Sequence, residues 1–91
     1  MFRINVREER KVVSDVIVER PVVEAMVGLL LKSGYVAGIP STQPKQLSSA
    51  DETMEAVDAG KNVTLAMSDS LVNFLKASLT GMDVSVIKLP N

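Results

Sequence analysis

The chain of 91 residues contains no cysteine and no histidine. Without cysteine there is no disulfide, no thiol nucleophile and no zinc–thiolate site, and without histidine there is no imidazole base and no imidazole metal ligand. Any chemistry would therefore have to use carboxylates, hydroxyls, amines or a metal ion held by oxygen ligands.

Aromatic residues are almost as scarce, since the chain has one Tyr, two Phe and no Trp. The core must therefore be built from Val, Leu, Ile, Ala and Met. The length and the apolar content predict one globular domain over residues 1–91.

Long apolar runs are missing as well. No run approaches the ~20 residues of a membrane span, and Met1 leads into alternating polar and apolar residues and not into the apolar stretch of a signal peptide. We expect a cytoplasmic protein without a membrane partner.

The net charge of −1 argues against broad binding to phosphate backbones, which requires clustered cations. Half of the basic residues nevertheless lie in the first twenty positions. Glu8 and Glu9 dilute this charge, so a solvated strand edge is the simpler interpretation. The candidate nucleic-acid contacts are Arg3, Arg7, Arg10, Lys11 and Arg20.

The amino-terminal third predicts two strands and a helix. Phe2, Ile4 and Val6 alternate with polar residues, as in a half-exposed strand, whereas residues 12–18 are so rich in β-branched residues that they predict a central strand covered on both faces. A helix opens at Pro21 and stops at Gly34.

The rest of the chain continues the alternation of strands and helices. Ser49 and Glu52 have the spacing of a capping box, which opens a helix that ends at Gly60. Its acidic residues are Asp51, Glu55 and Asp58. We interpret them as a solvated acidic face in preference to a set of metal ligands. The other predicted elements are strands over 35–39, 63–67 and 84–89 and a helix over 69–80.

This order predicts an α/β fold. Short connections between alternating strands and helices favour right-handed crossovers, and hence a small three-layer, Rossmann-like sandwich. We expect a mainly parallel four-stranded sheet with an additional antiparallel edge strand at the amino terminus. Functional groups in such sheets collect where the strands end.

Polar residues stand at those strand ends. Glu19 and Asp69 would meet across the sheet edge, where two carboxylates are able to hold Mg²⁺. Helix capping by Ser68 or Asp69, with Glu19 in an ion pair with Arg20 or Lys88, is the simpler alternative. Hydroxyl groups before a helix suit an anion, and the candidates are Ser68 and Ser70, with Ser41 and Thr42 nearby.

The segments Val-Ile-Val-Glu19-Arg-Pro21 and Val-Thr-Leu-Ala-Met-Ser68-Asp-Ser70, with the helices that follow them and Val-Ile-Lys-Leu-Pro90, resemble the Toprim domain of topoisomerases, primases and nucleases. The resemblance covers residues 15–90. It implies that Glu19 acts in acid/base chemistry, and that Ser68 and Ser70 stand where the family has its two Mg²⁺-binding aspartates.

Two serines do not neutralise a divalent ion as two aspartates do. We therefore expect a non-catalytic or weakly active Toprim-like domain that needs no cofactor and binds nucleic acid or a protein of nucleic-acid metabolism. A Mg²⁺-dependent phosphodiester-processing enzyme that uses Glu19 and Asp69 is one alternative. A module that binds nucleotides or phosphate, or that forms homo-oligomers through an exposed edge strand or helix face, is another.

Overall fold

The computed structural model describes residues 1–9, 11–40, 45–67 and 82–90, and within these ranges the chain forms six strands and two helices. The helices are α1 (Arg20–Lys32) and α2 (Ala50–Asp58). The strands are β1 (Phe2–Glu8), β2 (Lys11–Val18), β3 (Val36–Ile39), β4 (Lys45–Leu47), β5 (Val63–Ala66) and β6 (Met82–Lys88). The helix predicted over 69–80 lies outside the described residues.

The six strands form one sheet in the order β2-β1-β6-β5-β3-β4, and every neighbouring pair is antiparallel. The prediction of a mainly parallel, Rossmann-like sheet is therefore wrong. The helices do join strands that run in the same direction, α1 joining β2 to β3 and α2 joining β4 to β5. Other strands lie between the members of each such pair, so no two parallel strands become neighbours.

The position of β2 also differs from the prediction. The sequence predicts a central strand covered on both faces, but β2 is an edge strand that pairs with β1, and most of its residues are exposed. The half-exposed first strand lies instead inside the sheet, between β2 and β6. β1 is the better interior strand because its apolar residues alternate and so bury one face while the other remains polar.

Glycine ends both helices as the sequence predicts. Gly34 (φ +96°) and Gly60 (φ +84°) adopt the left-handed conformation directly after each helix. At α1 the N–H of Tyr35 donates to the carbonyl of Leu30 at 3.0 Å, and at α2 the N–H of Lys61 donates to the carbonyl of Ala56 at 3.0 Å. These bonds satisfy carbonyls that the last helical turn leaves free.

The predicted capping box at the start of α2 is confirmed in part. The Ser49 side chain accepts a hydrogen bond from the N–H of Glu52 at 3.1 Å. The Glu52 carboxylate, however, accepts from the Ser48 hydroxyl at 2.7 Å. In the usual capping box, this carboxylate would accept from the backbone N–H of Ser49. Here the hydroxyl of Ser48 is the donor.

The hydrophobic core lies between one face of the sheet and the two helices, which contact each other. Val23 and Val27 of α1 and Val57 of α2 are fully buried in it. The sheet contributes alternate residues of its strands: Phe2, Ile4, Ala37, Leu47, Val63, Leu65, Val84 and Val86. Since α1 contacts β1 while α2 contacts β5 and β6, the helices cover the middle of the sheet.

No helix in the described ranges has the length and apolar composition needed to cross a lipid bilayer.

Substitution of alanine for Gly60 and for Gly28 should have opposite effects on stability. A Cβ at Gly60 or at Gly28, in the middle of α1, would meet no atom within 4 Å, so both substitutions test the backbone alone. Gly60→Ala should lower the free energy of unfolding by about 1 kcal/mol because of its left-handed conformation. Gly28→Ala should raise it by about 0.5–1 kcal/mol. Urea denaturation followed by circular dichroism measures both, and equal signs would contradict the proposed helix boundary at Gly60.

Candidate functional site

Glu19 links β2 to α1 and is exposed. It is the N-cap of α1, and its carbonyl oxygen accepts hydrogen bonds from the N–H groups of Val22 at 3.1 Å and Val23 at 3.4 Å. Its side chain makes no capping bond. The backbone of Glu19 therefore shapes the strand-to-helix turn, while its carboxylate projects from the corner of the sheet.

The predicted meeting of Glu19 with the residues after β5 rested on a parallel sheet, and that premise is wrong. β2 ends with Val18 beside Phe2, whereas β5 ends with Ala66 beside Asp83, at the opposite end of the sheet. Ser68, Asp69 and Ser70 lie outside the described residues, so the carboxylate and anion sites remain predictions.

Ser41 and Thr42, the other predicted anion ligands, also lie outside the described residues. The strand before them, β3, ends at the same end of the sheet as β2 but four strand spacings away, about 19 Å. The end of β3 therefore does not approach Glu19.

Three of the five predicted nucleic-acid contacts pair with carboxylates. Arg3 donates from Nε to Asp15 at 2.8 Å, and Arg20 donates from Nη2 to Asp58 at 2.7 Å. Arg7 pairs with Asp83. These carboxylates offset the positive charge that would otherwise attract a phosphate group. Lys11 is exposed at the start of β2, and Arg10 lies outside the described residues. The contact with nucleic acid remains a prediction.

The pair between Arg7 and Asp83 joins β1 to β6 on the face of the sheet away from α1 and α2. Arg7 Nε donates to Asp83 Oδ2 at 3.0 Å, and the Asp83 side chain is only 3% exposed. Arg7 itself is partly exposed, but its removal would leave the buried Asp83 carboxylate uncompensated, which is destabilising. We therefore assign this arginine a structural role.

The acidic residues of α2 border a groove between the two helices. Glu24 and Asp58 both form ion pairs with Arg20, which neutralises part of the negative charge. Asp51 and Glu55 also line this groove. Within the described residues no three acidic side chains are placed to hold a metal ion together. Since Asp69 is not among them, the Mg²⁺ site is left as a prediction.

The most unusual surface of the described chain is the edge strand β2. Four of its apolar side chains are largely exposed: Val12 (58%), Val13 (56%), Val16 (45%) and Ile17 (59%). β2 pairs with β1 along one side only, so the backbone on its other side faces away from the sheet. A β-branched run of this kind is typical of a strand inside a sheet. It is equally typical of an edge strand that another protein surface covers.

Comparison with known proteins gives no relative for this chain. No protein-family model, no curated protein and no solved structure matches it. The resemblance to the Toprim domain is therefore not tested by these comparisons, although the parallel sheet that it implies is absent from the described strands.

The ion pairs with arginine predict lowered pKa values for two carboxyl groups. Hydrogen bonds from Arg3 hold the pKa of Asp15 below its ordinary value, and hydrogen bonds from Arg20 do the same for the pKa of Asp58. Arg3→Gln should therefore raise the pKa of Asp15 and leave that of Asp58 unchanged, and Arg20→Gln should do the reverse. Carboxyl ¹³C NMR titrations measure both values.

The sign of the effect on stability follows from linkage. A carboxyl whose pKa is lowered by folding stabilises the fold above its ordinary pKa of about 3.9, and this contribution is lost as the pH falls through the lowered value. Arg3→Gln should thus cost stability at neutral pH and little at a pH below the lowered pKa of Asp15. A loss of equal size at both pH values would contradict the pairing with Asp15.

Proposed function

We propose that this chain is a protein-interaction module that self-associates by antiparallel pairing of β2 with β2 of a second copy. The observation that supports the proposal is the long exposed apolar edge at residues 11–18. A second strand along this edge would satisfy its free N–H and C=O groups and cover its valine and isoleucine side chains.

The two edges of the sheet differ in the way that this proposal requires. Natural proteins protect sheet edges with short strands and charged residues. β4, at one edge, has only three residues, of which Lys45 and Gln46 are exposed and polar. β2, at the other edge, has eight residues. Its charged residues are Lys11 and Asp15, and its register with β1 shifts between Val12 and Ser14, but Val12, Val13, Val16 and Ile17 leave most of its length apolar and exposed.

The charges on β2 suit an antiparallel copy of the same strand. Lys11 begins β2 and Glu19 follows its end, and both are exposed. Antiparallel pairing about the strand centre would bring each lysine near the glutamate of the other copy. The central Asp15 is already paired with Arg3, so it does not present an isolated negative charge to its counterpart.

The edge can be tested with two isoleucines that lie on one face of the sheet, one on the edge strand and one on an interior strand. Ile17 of β2 and Ile87 of β6 lie directly opposite Arg3 on either side of it, and therefore on the same face of the sheet. Ile17→Lys should abolish self-association because a lysine protects a sheet edge, whereas Ile87→Lys lies on an interior strand and should preserve it. Analytical ultracentrifugation should show a mass of twice 9.8 kDa for the unchanged chain and for Ile87→Lys.

Hydrogen exchange adds a readout at the backbone. Amide groups of β2 that face away from β1 should exchange slowly in the unchanged chain and fast in Ile17→Lys. Circular dichroism checks that both variants fold. An unchanged chain that sediments as a monomer at the highest soluble concentration, with fast exchange along β2, would overturn the proposed function.

A further inference from the structure

Helix α1 carries a second exposed apolar surface beside β2. Val22 is 50% exposed and Leu29 is 66% exposed, and Met26 between them is half-buried. The spacing of these three residues places them along one flank of the helix. We name Val22, Met26 and Leu29 the α1 flank.

The α1 flank faces away from α2. Arg20 and Glu24 border the groove between the helices, and Val23 and Val27 point into the core. At 100° per residue, the flank lies on the side of α1 opposite Arg20 and Glu24. Because α2 lies over β5 and β6 while α1 contacts β1, this side of the helix is the one toward β2.

The surface between the helix and the sheet edge is apolar too. Val16 and Val18 of β2 lie opposite Ile4 and Phe2, and therefore on the face that the helices cover. Val16 is nevertheless 45% exposed, because α1 does not reach over the edge. Val16 and Val18 thus continue the α1 flank down to the edge strand.

We infer that the α1 flank is the second layer of the self-association surface, in contact with the α1 flank of the other copy; this inference rests on the proposed function. Antiparallel pairing of two identical edge strands places a two-fold axis perpendicular to the sheet. That axis keeps both helix layers on the same side and turns like surfaces toward each other. Two β1 strands would then be three strand spacings apart, about 14 Å.

This spacing is close to that of two packed helices. A helix with its side chains is about 10–12 Å across, so helices centred over β1 strands about 14 Å apart would leave a gap of about 2–4 Å, which a small shift of each helix toward the axis closes, bringing Met26 and Leu29 against their counterparts. Val16 of both copies would form the floor between them. The occupant is a second copy because the flank continues the edge that β2 offers, and because that edge has complementary charges at its two ends.

Charge substitutions at Leu29 test the contact. Leu29→Glu and Leu29→Lys should each weaken self-association by about tenfold or more, since like charges would face each other across the axis. An equal mixture of the two variants should restore association, because opposite charges would then meet. Met67→Glu, at an exposed methionine outside the interface, should change nothing. The dissociation constants are measured by sedimentation equilibrium.

Spin labels give the geometry, since the chain has no cysteine of its own. Labels at Leu29→Cys should lie much closer together than labels at Gln46→Cys. The latter sit on β4 strands that would be eleven strand spacings apart, about 50 Å. Electron–electron double resonance measures both distances.

The outcomes separate this inference from the proposed function. Loss of association with Ile17→Lys but not with either Leu29 variant would overturn the role of the α1 flank and leave the pairing of β2 intact. No rescue in the mixture of Glu and Lys variants would also overturn it. Association that survives Ile17→Lys would overturn the proposed function itself.

Discussion

The contact between the helix pair and one face of the sheet is the constraint on which the described structure depends. It brings Val23, Val27 and Val57 against alternate residues of the strands and encloses the core. Two helices are not wide enough to cover six strands, so the edge strand β2 extends beyond α1. The exposure of Val16 follows from this arrangement and not from a polar sequence, whereas Ile17 lies on the opposite face of the sheet.

The ion pairs on the other face explain why a cluster of basic residues does not by itself predict a nucleic-acid site. Arg3 and Arg7 lie on the same face of β1, and each forms an ion pair with an aspartate on a neighbouring strand. The pairs reinforce the β2-β1-β6 part of the sheet, although exposed pairs such as that of Arg3 contribute little to stability. With these charges paired, the apolar edge becomes the more distinctive feature of the surface.

Local patterns predicted the local structure well. The helix stops at Gly34 and Gly60, the Ser49 cap and the inward alternation of Phe2 and Ile4 follow from contacts within a few residues or from the period of a strand. The predictions of parallel strand pairing and of a central position for β2 were wrong. β4 was not predicted at all, because its three residues, Lys45 to Leu47, have neither the length nor the alternation of a recognisable strand. The expected neighbour of Glu19 depended on parallel strands, and that premise is wrong, while the site at Asp69, Ser68 and Ser70 stays a prediction.

The sequence by itself determined most of the strands and helices of the described ranges, the inward-facing residues of β1, the glycines that end both helices, and the exclusion of chemistry based on thiols or imidazole. Tertiary structure alone decided that β6 and β5 lie between strands that α1 joins, that every strand pair is antiparallel, and that β2 is at the edge. The physical reason is that a β-branched run favours an extended backbone in either position, and the choice of pairing partner depends on residues distant in the chain.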